Sequence, residues 1–407
     1  MRFELMVAIR FLRQSRAQTL LVFGGAAVGV GVIIFLTALL GGLQASLIQK
    51  TLGSQAHIVV KPPELTTRSV YEERPGEIVA SVVDRPAQRL RPVEEWQKVM
   101  RNLERVPGVI AASPVCNGPG FVARGRAEKS VSLFGVDPER FDAIVPVSKK
   151  LVAGSFRPSA SEVLIGSALA ADLGVGVGDA LRVYSTSGDG GEILSVSGIF
   201  ELGNQVVNTR WALVSLRRAQ TLLNLSGGVT QIDLRVDEIF DAQRIAERIE
   251  DQTGLVADSW MKTNADLLVG LKGQDSSGQM ISFFVIIAVA LGIASVLIVS
   301  VVQRSKEIGI MRATGTTARM ISRIFLIQGG LTGAFASIFG GLLGAGLAKF
   351  FKSLSRNPDG SPIFPVALTP ALFFGASTVA IFVGLLASYG PARRAARLDP
   401  ATVIRHD

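Results

Sequence analysis

Side chains able to do covalent chemistry are scarce in these 407 residues. There are two histidines, His57 and His406, and one cysteine, Cys116. A metal centre needs more ligands, and a histidine-based triad needs a base beside a nucleophile, so neither is expected. A lone cysteine forms no intramolecular disulfide. Serines and threonines are plentiful, but none has a paired base in the pattern. The run Gly174-Val-Gly-Val-Gly-Asp179 invites a phosphate-loop reading, yet a turn before a strand explains it more simply. No Gly-x-x-x-x-Gly-Lys-Ser/Thr occurs, so the chain binds no ATP through a P-loop of its own. The sequence therefore predicts no catalytic residue, no metal and no cofactor in this chain.

What stands out instead is a basic stretch, Gln303–Arg323, reading QRSKEIGIMRATGTTARMISR. Ser305–Thr314 is long enough for two to three helical turns, with Ile308 and Met311 on one face. Gly315 suits a helix stop, and Thr316 or Thr317 suits the cap of a following helix. A short helix presenting Ile308, Met311 and Arg312 would be a socket for another protein. An ordinary basic loop would read the same way, and the residues alone leave both open.

The elements around this stretch are membrane-spanning in character. Mean hydropathy is +0.40, and only 18% of residues are charged, against about 25% in soluble domains. Four windows, 17–49, 276–303, 324–348 and 360–392, contain no Asp, Glu, Lys or Arg. Each has room for the roughly 20 apolar residues that cross a bilayer, and four such runs are hard to hide in a soluble core. The first is too long for a signal-peptide core and reads as an uncleaved anchor. No charge sits at mid-membrane, which argues against an ion relay. Glycines at 329, 333, 340 and 344 suit a packed internal third span.

The formal charge of +9 comes from Lys and Arg beside these windows, as the positive-inside rule places them, and not from a nucleic-acid patch. Arg2, Arg10, Arg13 and Arg16, the 303–323 loop, and Arg393, Arg394, Arg397 and Arg405 then share the cytoplasmic side. The expected layout is an amphipathic arm (1–16), a first span and stalk (17–48), an external domain (49–262), a stalk and second span (263–302), the loop (303–323), a third span (324–348), a short external loop (349–365), a fourth span (366–392) and a cytoplasmic tail (393–407). Gly273 to Gly278 suggest a hinge before the second span.

The external domain reads as α+β. A strand at His57–Lys61 precedes a Pro/Arg-rich section, 62–91. A helix over Pro92–Val106 is followed by strands at Val109–Val115, Gly120–Arg124 and Ser130–Phe134. A second unit runs strand (Glu162–Gly166), helix (Ser167–Leu173), hairpin (Ala180–Ser185 and Ile193–Phe200, turning at 187–191) and strand (Trp211–Ser215), then a helix over Leu216–Leu223. Strand Thr230–Val236, helix Ala242–Thr253 and strand Leu255–Asp258 repeat the earlier order. The fold class expected is four transmembrane helices plus a large α+β periplasmic domain, two porter-like halves flanking a smaller β insert.

The loop sequence Arg304-Ser-Lys-Glu-Ile-Gly-Ile-Met-Arg-Ala-Thr-Gly315 resembles the Arg-x-x-Glu-Ile-Gly-Ile-x-Arg-Ala-x-Gly loop of MacB/LolC/LolE/FtsX-type ABC permeases. The tail from Pro391 to Arg405 is similar to that family's ending, and Glu162–Asp179 to its external-domain signature. The resemblance spans nearly the whole chain. It implies a half-transporter of the bacterial inner membrane, paired with a second copy or paralogue. Two copies of a separate ABC ATPase would carry the ATP and Mg. Lys306, Glu307, Ile308, Met311, Arg312 and Gly315 would then form the coupling helix in the ATPase cleft. Motion would pass to the external domain by mechanotransmission.

A large external domain without a fused ATPase looks most like the LolC/LolE layout, in which lipid chains rest between the first two spans. By position, Phe35, Leu36, Leu39, Leu40, Leu43, Phe283, Phe284 and Ile287 would line that cavity. Membrane lipid and a periplasmic adaptor or lipoprotein carrier are the further partners implied, and no nucleic acid. There are departures from the family pattern. Leu271–Gln279 lacks the Glu-Lys pair of Lol permeases, and section 62–91 is an addition. A carrier-recruiting hook would fall near Gly203–Arg210. A MacB-like efflux permease with an adaptor, or an FtsX-like scaffold activating an external hydrolase, are the alternatives.

Overall fold

The computed structural model describes residues 2–14, 16–63, 90–185, 191–354 and 366–398. Most of section 62–91, most of the hairpin turn at 187–191, the loop 355–365 and the end of the tail lie outside the described residues. The chain forms two compact units, one of residues 1–46 with 269–407 and one of residues 47–268.

Among the described residues of the second unit, ten strands form one sheet. They are β1 (Ile58–Lys61), β2 (Val109–Arg124), β3 (Ala127–Val136), β4 (Leu151–Gly154), β5 (Glu162–Gly166), β6 (Ala180–Ser185), β7 (Glu192–Phe200), β8 (Trp211–Ser215), β9 (Gln231–Val236) and β10 (Val256–Ser259). The order is β10-β1-β9-β2-β3-β8-β5-β7-β4, with β6 beside β2 and β7. Chain ends meet at one side: β1 pairs antiparallel with both β9 and β10. The middle of the chain fills the other side, where β3/β8 and β5/β7 run parallel. The expected halves and the insert between them share one continuous sheet.

Three apolar clusters hold the sheet. Helices Trp96–Leu103 and Ala242–Thr253 lay Met100, Leu103, Ile245 and Ile249 on Ile58, Val60, Ile232 and Leu234. Helices Ser167–Leu173 and Leu216–Leu222 cover the inserted strands around Leu133, Val163, Ile165 and Val214. Phe141, Ile144, Phe200 and Leu213 form the third cluster.

Two expectations need correction. The helix expected from Pro92 starts at Trp96, because Glu95 adopts φ 46°, ψ 38° and the Val93 amide is already bonded to the Val229 carbonyl at 2.7 Å. The strands expected on either side of Cys116–Pro119 are one strand. Gly118 permits this, since a Cβ there would lie 2.6 Å from Leu223. The Asn117 amide donates to Thr230 Oγ1 at 2.7 Å, so the backbone stays satisfied.

Among the described residues, four helices are long and apolar enough to cross a membrane, Thr19–Leu52, Ala265–Gln303, Ala318–Leu354 and Pro370–Ala396. The third packs against the fourth and the first through glycine. A Cβ at Gly329 would lie 2.4 Å from the Gly384 carbonyl oxygen, at Gly333 2.4 Å from that of Ala380, at Gly340 2.7 Å from that of Ala27, and at Gly344 2.8 Å from that of Gly31. The expected hinge at 273–278 is instead unbroken helix within Ala265–Gln303. Ser277 and Ser282 return their hydroxyls to the carbonyls of Gly273 and Gly278, so these polar groups are satisfied within the helix and do not interrupt it.

One buried acid makes the sheet pH-sensitive. Asp233 on β9 is 4% exposed and accepts a 2.6 Å hydrogen bond from Gln231 Nε2. Burial pushes its carboxyl up to about 7, and the Gln231 bond opposes this. The folded pKa is raised, so the native state favours the protonated acid. That stability is present below pH 4 and is lost as pH rises through about 7, a displacement worth about 4 kcal/mol in full. Asp233→Asn should raise the melting temperature of the full chain in detergent at pH 8 and leave it unchanged at pH 4. Equal effects at both pH values would contradict a titrating Asp233.

Candidate functional site

The stretch after the second long helix folds as expected in outline. A helix covers Ser305–Ala313. Gly315 takes φ +102°, which a side chain would strain, and the Thr316 amide reaches back to the Met311 carbonyl at 3.0 Å. Thr317 Oγ1 accepts from the Met320 amide at 3.3 Å, capping the third long helix.

Which side of this short helix faces outward differs from expectation. Ile308 is fully buried and packs in one cluster with Ile321, Ile324, Phe325, Ala392 and Ala395. Met311 is half-buried against the same cluster. Arg312 is half-buried too, and its Nη1 donates to the carbonyls of Leu398 and, at 3.2 Å, Ala396. These three residues seat the helix on the membrane unit; they are not its presented face. The exposed residues are Lys306, Glu307, Ile310, Ala313, Thr314 and Gly315. Ile310, 58% exposed, was not among the expected contacts. Its spacing from Ile308 held the signal, because two residues turn a helix by about 200°. A sequence cannot say which of two opposed isoleucines points inward. The outward face thus combines a cation, a carboxylate and one large apolar side chain, a composition suited to a protein surface and to no reaction.

The expected cavity residues are also redistributed. Phe35 stands edge-on to Phe351 of the third helix, with ring centroids 5.8 Å apart. Leu36, Leu39, Leu40 and Leu43 are half-buried, and a Cβ on Gly278 would meet Leu40. Phe283 and Phe284 are 59% and 61% exposed and contact each other, and Ile287 is 38% exposed. None of the eight lines either of the two larger apolar clefts among the described residues of this unit. One, of about 440 Å³, lies between the first and second helices, with Gly25, Gly29 and Val32 facing Val285, Ala288 and Gly292. The other, of about 260 Å³, is lined by Val30, Ile33, Thr37, Ile286, Val289 and Val379. The larger cleft opens where Gly25, Gly29, Ala288 and Gly292 leave space between the two helices, toward the 303–323 end of the second.

The groups with reactive side chains are structural. His57 is buried, its Nδ1 3.2 Å from the Val236 backbone, and burial holds its pKa below the usual value. The buried Cys116 thiol is pushed up to about 12 by desolvation, which keeps it a thiol and not a nucleophile. The helix Gln205–Arg210 lies where a hook was expected. Asn208, 1% exposed, ties it down through the Leu202 amide and Glu201.

Comparison with known proteins adds identity to this geometry. The profile of the MacB-like periplasmic core domain matches residues 19–252, and that of the FtsX-like permease C-terminal matches residues 279–400. The lipoprotein-releasing system transmembrane protein LolC of Xylella fastidiosa is 23% identical over 436 residues, covering 98% of each chain. LolE of Haemophilus influenzae is 23% identical over 407 residues, covering 93% of this chain and 92% of its own. The macrolide export ATP-binding/permease protein MacB of Wolinella succinogenes is 36% identical over 114 residues, 28% of this chain and 16% of its own.

The two isoleucines of the short helix separate seating from presentation. Ile308→Asp should cost on the order of 4 kcal/mol, through lost packing and a buried carboxylate. Ile310→Asp should stay within about 0.5 kcal/mol. Thermal unfolding of the detergent-solubilised chain checks this, and equal losses would reverse the assignment of faces.

Proposed function

The chain belongs to the ABC-transporter permeases that join a MacB-like periplasmic core domain to an FtsX-like C-terminal region, and on that premise we propose that a separate ABC ATPase drives it through the outward face of helix Ser305–Ala313. The observation that carries this reading is the division of that helix into a seated face and a presented one. Lys306, Glu307, Ile310, Ala313 and Thr314 are the contact in this proposal, with Gly315 closing the turn. Ile308, Met311 and Arg312 transmit the contact to the membrane helices on which they rest. ATP and Mg are bound by the partner subunits, two copies serving a pair of permeases. Force then passes along Arg16–Leu52 and Ala265–Gln303 to residues 47–268 on the periplasmic side.

The cargo we propose is lipophilic and lipoprotein-like. Relatives named for lipoprotein release align with this chain almost end to end, whereas the MacB of Wolinella succinogenes aligns with 28% of it. The two clefts offer acyl chains a predominantly apolar contact. A carrier or adaptor on the periplasmic side would receive the cargo.

Two experiments test the reading. In the reconstituted complex with the ABC ATPase subunit, Glu307→Lys and Ile310→Asp should each lower cargo-stimulated ATP turnover about tenfold or more. Normal turnover in an assembled complex rejects the coupling face. A photo-crosslinker at Val32 or Val289 should capture a triacylated lipopeptide, and capture confined to residues 47–268 rejects the cleft.

A further inference from the structure

The N-terminal helix Arg2–Gln14 is attached to the presented helix by one buried guanidinium. Arg304 is 6% exposed. Its Nη2 donates to the Phe11 carbonyl at 2.8 Å, and its Nη1 donates to Gln14 Oε1 at 2.8 Å. The guanidinium carbon lies 4.5 Å from the centroid of the Phe11 ring. The Phe11 carbonyl belongs to the last turn of Arg2–Gln14, where helix carbonyls lack a partner of their own and the negative end of the dipole favours a cation. Arg304 therefore caps the C-terminal end of that helix with its side chain. Its backbone, at φ −106°, is the cap position of helix Ser305–Ala313, and its carbonyl accepts from the Ile308 amide at 3.0 Å. One residue thus terminates one helix and begins the other.

Further contacts tie the same helix to its surroundings. Ala8 and Phe11 are buried in the cluster that holds Ile308 and Phe325, and the Phe11 and Phe325 rings lie 6.3 Å apart. Thr19 of the first long helix donates to the Leu12 carbonyl at 2.9 Å. At the opposite end of the N-terminal helix, buried Glu4 lies 3.7 Å from Arg323 Nη1. Arg304 and Arg323 stand on either side of the loop helix, so the N-terminal helix touches both flanks of the loop.

We propose that Arg304 joins the N-terminal helix and helix Ser305–Ala313 into one mechanical element, making Arg304 a positioning residue for coupling and the N-terminal helix its brace. The coupling part rests on the function proposed above; the joining part does not. A displacement of the presented helix by a partner must carry the N-terminal helix with it, or else break two hydrogen bonds of a charged, desolvated group. Glu307, 4.0 Å from Arg304 Nη1, lies at the outer edge of the same contact, so a partner touching Glu307 acts directly beside the joint.

Spin labels at Arg10→Cys and Thr314→Cys, both exposed positions, measure the joint in the full chain in nanodiscs of phosphatidylethanolamine and phosphatidylglycerol. The native Cys116 is buried and does not compete for label. We expect one narrow distance distribution, broadened by Arg304→Met and, to a smaller extent, by the milder Gln14→Leu. Adding Gln14→Leu to Arg304→Met should broaden it no further. A distribution that stays narrow in both single variants overturns the joint. In the reconstituted ATPase complex, Arg304→Met should lower cargo-stimulated turnover about tenfold, the scale of lost hydrogen bonds to a charged group. Basal turnover should hold even though the melting temperature falls modestly, and Arg304→Lys should recover part of the stimulated turnover. Basal and stimulated turnover falling together would overturn the positioning role. If Glu307→Lys leaves stimulated turnover intact, the coupling face itself is wrong, and the distance measurement still decides the joint.

Discussion

The membrane unit depends on backbone-to-backbone approach along the third long helix. Between apolar helices in lipid, little is gained by hiding one hydrocarbon surface against another, so contact must come from close packing. Gly329, Gly333, Gly340 and Gly344 bring that helix within touching distance of carbonyls on the fourth and first helices. The approach draws Ile321, Ile324 and Phe325 together with Ala392 and Ala395 near one end of the unit, and this cluster is the seat into which Ile308 fits. A short helix with few internal hydrogen bonds is marginal by itself. Ser305–Ala313 is ordered because its inner face is buried there and because Arg304 and Arg312 bond carbonyls of other segments.

The sheet unit solves a different problem. Its first and last strands, β1 and β10, are neighbours, so the segments that enter and leave the unit meet in one half of the sheet, and the long middle of the chain is set into the other half. A single sheet of ten strands makes that half continuous with the inserted one through the β2/β3 hairpin, whose register runs unbroken from Val115–Val136 to Arg124–Ala127. Polar residues caught inside carry a cost that hydrogen bonds offset. Asn208 is bonded on both sides of its amide, whereas Asp233 has one neutral donor and gives up its charge more readily.

Much of this was legible in the residues. The strands at Glu162–Gly166 and Trp211–Ser215 and the helices at Ser167–Leu173 and Ala242–Thr253 have the bounds that their periodicity predicts. Gly315 and Thr317 mark the turn as their chemistry requires. Errors arose where distant partners override local preference. Val93 is drawn out of its helix by Val229, Gly118 stays in a strand because β2 pairs there with Leu133 of β3, and Gly273 and Gly278 stay helical within a long apolar helix.

What the sequence determined by itself is the kind of protein. Four windows without charge dictate spans because a buried charge in lipid is too costly. The chain carries no P-loop pattern, and the Glu-Ile-Gly-Ile loop with the Pro-to-Arg tail identifies the permease family. The tertiary structure alone decided which face of Ser305–Ala313 is offered, where the clefts lie, and that Arg304 belongs to two helices at once. Periodicity sorts residues into faces but carries no sign. The choice of inward face is made by whichever neighbour lies there, and Ile321, Phe325, Phe11 and Gln14 come from segments that only folding brings to this place.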